Sequence, residues 1–102
     1  MKVKNYLETK PDQEVPGVAL HAVITAEDGA PNFAMRVIEV EPGSSTPFHF
    51  HPWEHEAFII SGRGILKSEQ GDTPLAPDSV VYIAPNEKHC LANAGDEPLR
   101  FV

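Results

Sequence analysis

A chain of 102 residues has room for one hydrophobic core, and its net charge of −7, from 15 acidic and 8 basic side chains, repels phosphate backbones. Hydrophobic residues make up 41% and charged residues 23%, the balance of a folded globular chain and not of a disordered one. No apolar run approaches the ~18 residues of a membrane span, and "MKVKNYLETKPDQ" lacks the apolar core of a signal peptide. A cytoplasmic protein with no nucleic-acid partner and no membrane partner is expected.

Residues 1–17 show no clear periodicity and are read as an N-terminal arm or an edge strand, with the barrel proper over residues 18–102. Ten prolines and seven glycines cut the chain into apolar pieces of strand length. "GVALHAVITA" (17–26), rich in β-branched residues, is the first predicted strand. "NFAMRVIEVEPG" (32–43) alternates, placing Phe33, Met35 and Val37 on one face and Arg36, Ile38 and Val40 on the other. "EHEAFIISGRG" (54–64) predicts a strand running into a glycine turn. "ILKSEQGDTPLAPD" (65–78) predicts a hairpin turning at Gln70, Gly71 and Asp72. "SVVYIAPNEKH" (79–89) is a further strand, and "HCLANAGDEPLRFV" (89–102) a last strand pair around Ala94, Gly95 and Asp96. No stretch combines a helix cap with three turns of apolar periodicity, so an all-β sandwich or barrel is expected. The single Cys90 excludes an intrachain disulfide and a thiolate zinc site, and is read as a small buried hydrophobe.

The stretch "FHFHPWEHEAF" (48–58) holds three of the five histidines. Pro52 opposes a helix, so His51 and His55 are not a helical zinc pair, and "HEAF" lacks the second histidine of a metalloprotease motif. If residues 49–51 and 55–59 are extended, His49 and His51 share one face, and His55, Ala57 and Ile59 share one face of the next strand. A corner at Pro52 and Trp53 can keep both faces on a common interior. Imidazoles packed together in a barrel lack hydrogen-bond partners for their ring nitrogens unless a metal takes them.

These residues carry a family resemblance. "GSSTPFHFHPWEHEAFIISG" (43–62) resembles the first cupin motif, G-x5-H-x-H-x3-E-x6-G, with Gly43, His49, His51 and Gly62 in register and His55 at the usual glutamate. Small single-domain cupins of the conserved-barrel type carry the same "HPWEH" and a four-histidine site. "DSVVYIAPNEKHCLAN" (78–93) resembles the second motif and keeps His89 and Asn93. It has Asp78 for Gly, Ala84 for Pro and Asn86 for Gly, and both Asp and Asn are residues that such turns accept.

The resemblance implies a jelly-roll double-stranded β-helix. It further implies one divalent transition metal per chain (Mn, Fe, Cu, Ni or Zn) on His49, His51, His55 and His89, and a homodimer acting on a small molecule. Four neutral ligands would leave the ion its full +2 charge and suit a metal-dependent oxidoreductase of dioxygenase type. A metal-dependent isomerase, epimerase or lyase, or a non-catalytic small-molecule or metal-binding module, are the alternatives. Phe33, Met35, Phe48, Trp53, Phe58, Ile59 and Phe101 are candidate pocket walls. Glu54, Glu56 and Glu87 read as surface carboxylates, His21 as a structural or surface histidine, and no residue stands out as a catalytic acid or base.

Overall fold

Short alternating segments can bury one face each only by packing sheet against sheet, and the chain does so. The computed structural model describes all 102 residues. It has eight strands: β1 Val18–Ile24, β2 Met35–Val40, β3 His55–Ser61, β4 Gly64–Ser68, β5 Gly71–Leu75, β6 Val80–Ile83, β7 His89–Asn93 and β8 Leu99–Phe101. They form two antiparallel sheets, β1-β2-β8-β3-β6 and β5-β4-β7. The segment before β3 extends the smaller sheet through bridges from Ser45 to Ala92 and from His49 to His89. The shared core draws Val40, Ile59, Val81, Leu99 and Phe101 from the first sheet and Leu75 and Leu91 from the second. Val40, Ile59 and Leu99 are fully buried, each contributing about 1.5–3 kcal/mol of apolar burial. This is the all-β jelly roll expected from the sequence.

Three details differ from the sequence reading. The hairpin between β4 and β5 turns at Glu69 and Gln70, because Ser68 pairs with Gly71 and clips the turn: its Oγ accepts from the Gln70 N–H and donates to the Gly71 carbonyl. The last two strands are not a pair. β7 joins β4, whereas β8 lies between β2 and β3. Buried Asn93 directs this crossing, since its Nδ2 donates to the Val40 and Glu97 carbonyls and its Oδ1 accepts from Gly95. Finally, Phe33 and Met35 line the same cavity as Arg36 and Ile38, because a register shift in β1 opposite Met35 interrupts the alternation.

Special backbone positions hold this frame. Gly62, at φ +85°, turns β3 into β4 where a Cβ would strike the Pro98 carbonyl oxygen. Asp78 (φ 74°) and Asn86 (φ 68°) are the only non-glycine residues with positive φ, and they stand where the second motif usually has glycine. The turn geometry survives because Asp and Asn tolerate that region.

On the outer face of β1 and β2, His21, Val23 and Val37 are buried. Residues of the N-terminal segment cover part of this face. Asp12 exchanges two backbone hydrogen bonds with Leu20, and a short 3-10 turn at Tyr6–Glu8 sets the Tyr6 ring edge-on to His21 at 5.0 Å.

Candidate metal centre

The site is built from three chain segments. The bridge between residues 49 and 89 places His49 beside His89 at the start of β7, and His51 follows two residues on, its carbonyl accepting from Asn86 N–H at 2.7 Å. That Asn86 is the positive-φ residue of the β6–β7 turn, so the turn and the first motif are tied together through backbone. The potential ligand atoms of His49, His51 and His89 all lie within 4.8 Å of one another. Two opposed nitrogens at the usual ~2.1 Å from one ion stand ~4.2 Å apart, so a small ring rotation closes the cradle.

Hydrogen bonds fix which nitrogen is available. Nδ1 of His49 lies 2.6 Å from the Pro47 carbonyl, Nδ1 of His51 2.8 Å from that of Trp53, and Nδ1 of His89 2.7 Å from that of Glu87. A carbonyl can only accept, so each Nδ1 carries the proton and each Nε2 keeps its lone pair. The partners that orient the ligands are thus backbone carbonyls two residues away and not the side chains of Glu54, Glu56 or Glu87. Nε2 of His51 is buried and has no hydrogen-bond partner at all. A partnerless buried lone pair at the meeting point of three imidazoles fits a divalent metal ion and is costly without one.

His55 stands beside this group without sharing its ligand geometry. Its ring is 4.2 Å from that of His51, but its Nε2 accepts from Trp53 Nε1–H at 3.1 Å and from the Arg36 guanidinium at 3.3 Å. Trp53 also stacks on His51 at 4.7 Å and 11°. Burial, then the charge of Arg36 and the neighbouring imidazoles, push the His55 pKa down to about 4. Burial likewise lowers that of His89, against the opposing effect of its hydrogen bond to Glu87. Both rings are therefore held neutral, the form a metal ligand needs.

The cluster opens on a cavity of ≈ 1150 Å³ lined by 25 residues, 15 of them hydrophobic. Phe33, Met35, Trp53, Phe58 and Phe101 are among them. Phe48 is not, being directed to solvent, and Ile59 belongs to the closed core instead. Glu54 and Glu56 sit exposed at the cavity, and the neighbouring Glu54 carboxyl raises the Glu56 pKa. Cys90 is buried, and burial pushes its thiol pKa up, in keeping with an inert hydrophobe. His21 is buried on the opposite face of the sheet and has no part in the site. Arg36 is the residue that motif reasoning passed over. The signal was its alternation with Ile38 and Val40, which puts it on the interior face.

Residues 36–102 match the family described as Cupin_2, "Cupin domain". Over the whole fold the chain is similar to RemF, a polyketide cyclase from Streptomyces resistomycificus. The match has a TM-score of 0.89 and 31% identity and covers 99% of this chain and 75% of that one. In sequence it is similar to the tetracenomycin polyketide synthase protein TcmJ of Streptomyces glaucescens, 26% identical over 88 residues and 84% of this chain. It is also similar to an oxalate-binding protein of Thermotoga maritima, 30% identical over 66 residues and 64% of this chain. The matched regions span 59% and 54% of those two relatives.

Proposed function

The chain belongs to the cupin family, and from that premise we propose that it is a metal-dependent enzyme acting on a small organic molecule by cyclase-type carbonyl chemistry. The observation that carries this reading is the buried, partnerless Nε2 of His51, facing His49 and His89 beside a mostly apolar cavity. His49, His51 and His89 hold the ion. His55 is the fourth ligand, and to serve it must release the Trp53 and Arg36 donors from its Nε2. A divalent ion there supplies a Lewis acid toward a carbonyl oxygen. The chain's own part is to fix three imidazoles through backbone carbonyls, to stack Trp53 on His51, and to exclude water with apolar walls. Similarity over nearly the full chain to a polyketide cyclase supports cyclisation as the reaction class.

Intramolecular condensation of a poly-β-ketone forms one carbon–carbon bond, releases water on dehydration and needs no oxidant. The test is to load the purified protein with Zn, Mn, Fe, Cu or Ni in turn and incubate each form with a synthetic triketone. A cyclised product lighter by one water, formed without oxygen uptake, is the expected result. Oxygen consumed in step with product would instead establish the dioxygenase-type oxidoreductase. Metal binding without turnover would leave a binding module.

We also propose a homodimer. β6 ends the larger sheet, and its Val80 and Tyr82, with Phe58 and Ile60 of β3, form an exposed apolar strip that reaches the cavity rim at Phe58 and Val80. Sedimentation equilibrium of a Val80→Lys, Tyr82→Glu double variant should then show monomers where the parent chain shows dimers.

A further inference from the structure

Arg36 projects from β2 into the cavity beside the histidines and makes no ion pair there. The chain's ion pairs are Lys2–Asp28, Lys88–Glu69 and Arg100–Glu39, none of which includes Arg36. Its one side-chain hydrogen bond runs to Nε2 of His55, a neutral acceptor. Of the 25 residues around the cavity it is the only lysine or arginine. The carboxylates among them, Asp12, Glu14, Glu54 and Glu56, are all exposed, and none reaches within 4.0 Å of the guanidinium. Met35, Ile38 and Phe101 are among the apolar residues that line the same cavity.

Arg36 is partly buried, and apart from the bond to His55 its donors have no partner in a chain of net charge −7, where carboxylates are plentiful. The planar fork of arginine matches two oxygens of an anion. We propose that Arg36 is the specificity residue of the cavity and that the ligand is an organic anion with an apolar body, its carboxylate or enolate oxygen on the guanidinium. The apolar walls take the body of the molecule. This deepens the metal-dependent reading and rests on it in one respect: were His55 to join the other three histidines on a metal, its Nε2 would leave Arg36 and free the fork for the ligand.

The probe is 2-naphthoate, with the neutral 2-naphthamide as its near-isostere, titrated by calorimetry into chelator-stripped and metal-loaded protein. The parent chain should bind the acid at least tenfold tighter than the amide. Arg36→Gln should bind both alike while keeping its metal content and its affinity for the amide. In the parent chain the Arg36 Nε–H NMR signal should shift with naphthoate and not with naphthamide, and those of Arg63 and Arg100 should not move. The NMR arm needs no variant, so a poorly folding Arg36→Gln does not remove the test. Equal affinity for acid and amide in the parent, an undiminished preference in Arg36→Gln, or an unmoved Arg36 signal each overturns the assignment. Full metal loading with no acid preference sinks this inference alone. Acid preference in protein that takes up no metal sinks the metal reading and leaves Arg36 in its role.

Discussion

His21 and His51 are buried to nearly the same degree, 5% and 8% exposed, yet their surroundings lead in opposite directions. The cluster around His21 is closed on itself. Nδ1 donates to the Thr9 carbonyl at 2.9 Å, Tyr6 packs against the ring, and Nε2 faces Glu39 at 3.7 Å. Glu39 in turn meets Arg100 at 3.4 Å, and the guanidinium of Arg100 lies over Tyr6 at 5.5 Å. Around His51 the Nδ1 proton is answered in the same way, by a backbone carbonyl, but Nε2 is left with nothing. Burial of a histidine is therefore no sign of function by itself. What separates the two regions is what the second nitrogen meets: that of His21 faces the Glu39 carboxylate in a polar network with Tyr6 and Arg100, whereas that of His51 is fully buried and meets only other imidazoles.

The sharpest way to break this comparison is metal content. His51→Ala should lose most of the metal bound per chain, as read by elemental analysis after purification without chelator. His21→Ala should keep it. Equal metal in both variants would mean that the partnerless nitrogen has been misread.

Stability should run the other way. His21→Ala removes the part-buried partner of the Thr9 carbonyl and opens a gap beside the Tyr6 ring, a loss of about 2–3 kcal/mol. For a chain of this size that lowers Tm by roughly 10 °C or more. Stripped His51→Ala should stay within ~1 kcal/mol of stripped parent, because the lost hydrogen bond is offset by removal of an unsatisfied group. A large loss in His51→Ala and none in His21→Ala would reverse the two roles.

The legibility of the two regions in the sequence differs for a physical reason. Period-2 alternation suffices to place His49 and His51 on one face, whereas His89 was legible only through the resemblance of residues 78–93 to the second motif. Asp78 and Asn86 were likewise readable as turn residues from their chemistry alone. Long-range choices were not. That β8 inserts between β2 and β3 depends on Asn93 reaching the Val40 carbonyl, 53 residues away, and no local pattern encodes it. The same holds for His55, whose Nε2 is taken by Arg36 from another strand and by Trp53. Spacing placed His55 beside the cluster but could not reveal what its lone pair was doing.

Acid should sharpen the contrast further, by a smaller amount. Burial holds the His55 pKa at about 4 and that of His89 below its ordinary 6.5. Below pH 6.5 the unfolded chain takes up protons that these folded rings refuse, so stability falls as pH drops from 6.5 toward 4. Above 6.5 both states are neutral and this effect vanishes. Thermal melts of stripped protein between pH 7.5 and 4.5, in roughly half-unit steps, should show that decline. His55→Gln should flatten part of it, and a curve of unchanged slope would show that His55 is charged in the fold.

The smallest expected effect tests how the open site is framed. His51 is held from behind by the Asn86 N–H, and Asn86 sits at φ 68°. Glycine adopts that conformation without a Cβ penalty, but it also loosens the unfolded chain, and the two effects nearly cancel. Asn86→Gly should therefore stay within about 0.5 kcal/mol of the parent and keep its metal. Alanine has neither the freedom of glycine nor the local hydrogen bonding of asparagine, so Asn86→Ala should lose about 1 kcal/mol. If the turn relaxes to relieve that strain, the carbonyl of His51 loses its donor, and metal affinity should fall along with stability. No mutation in the closed cluster around His21 would join those two readouts, because no backbone bond there leads to a ligand. Loss of stability without loss of affinity in Asn86→Ala would show that the cradle is held by its Nδ1 hydrogen bonds alone.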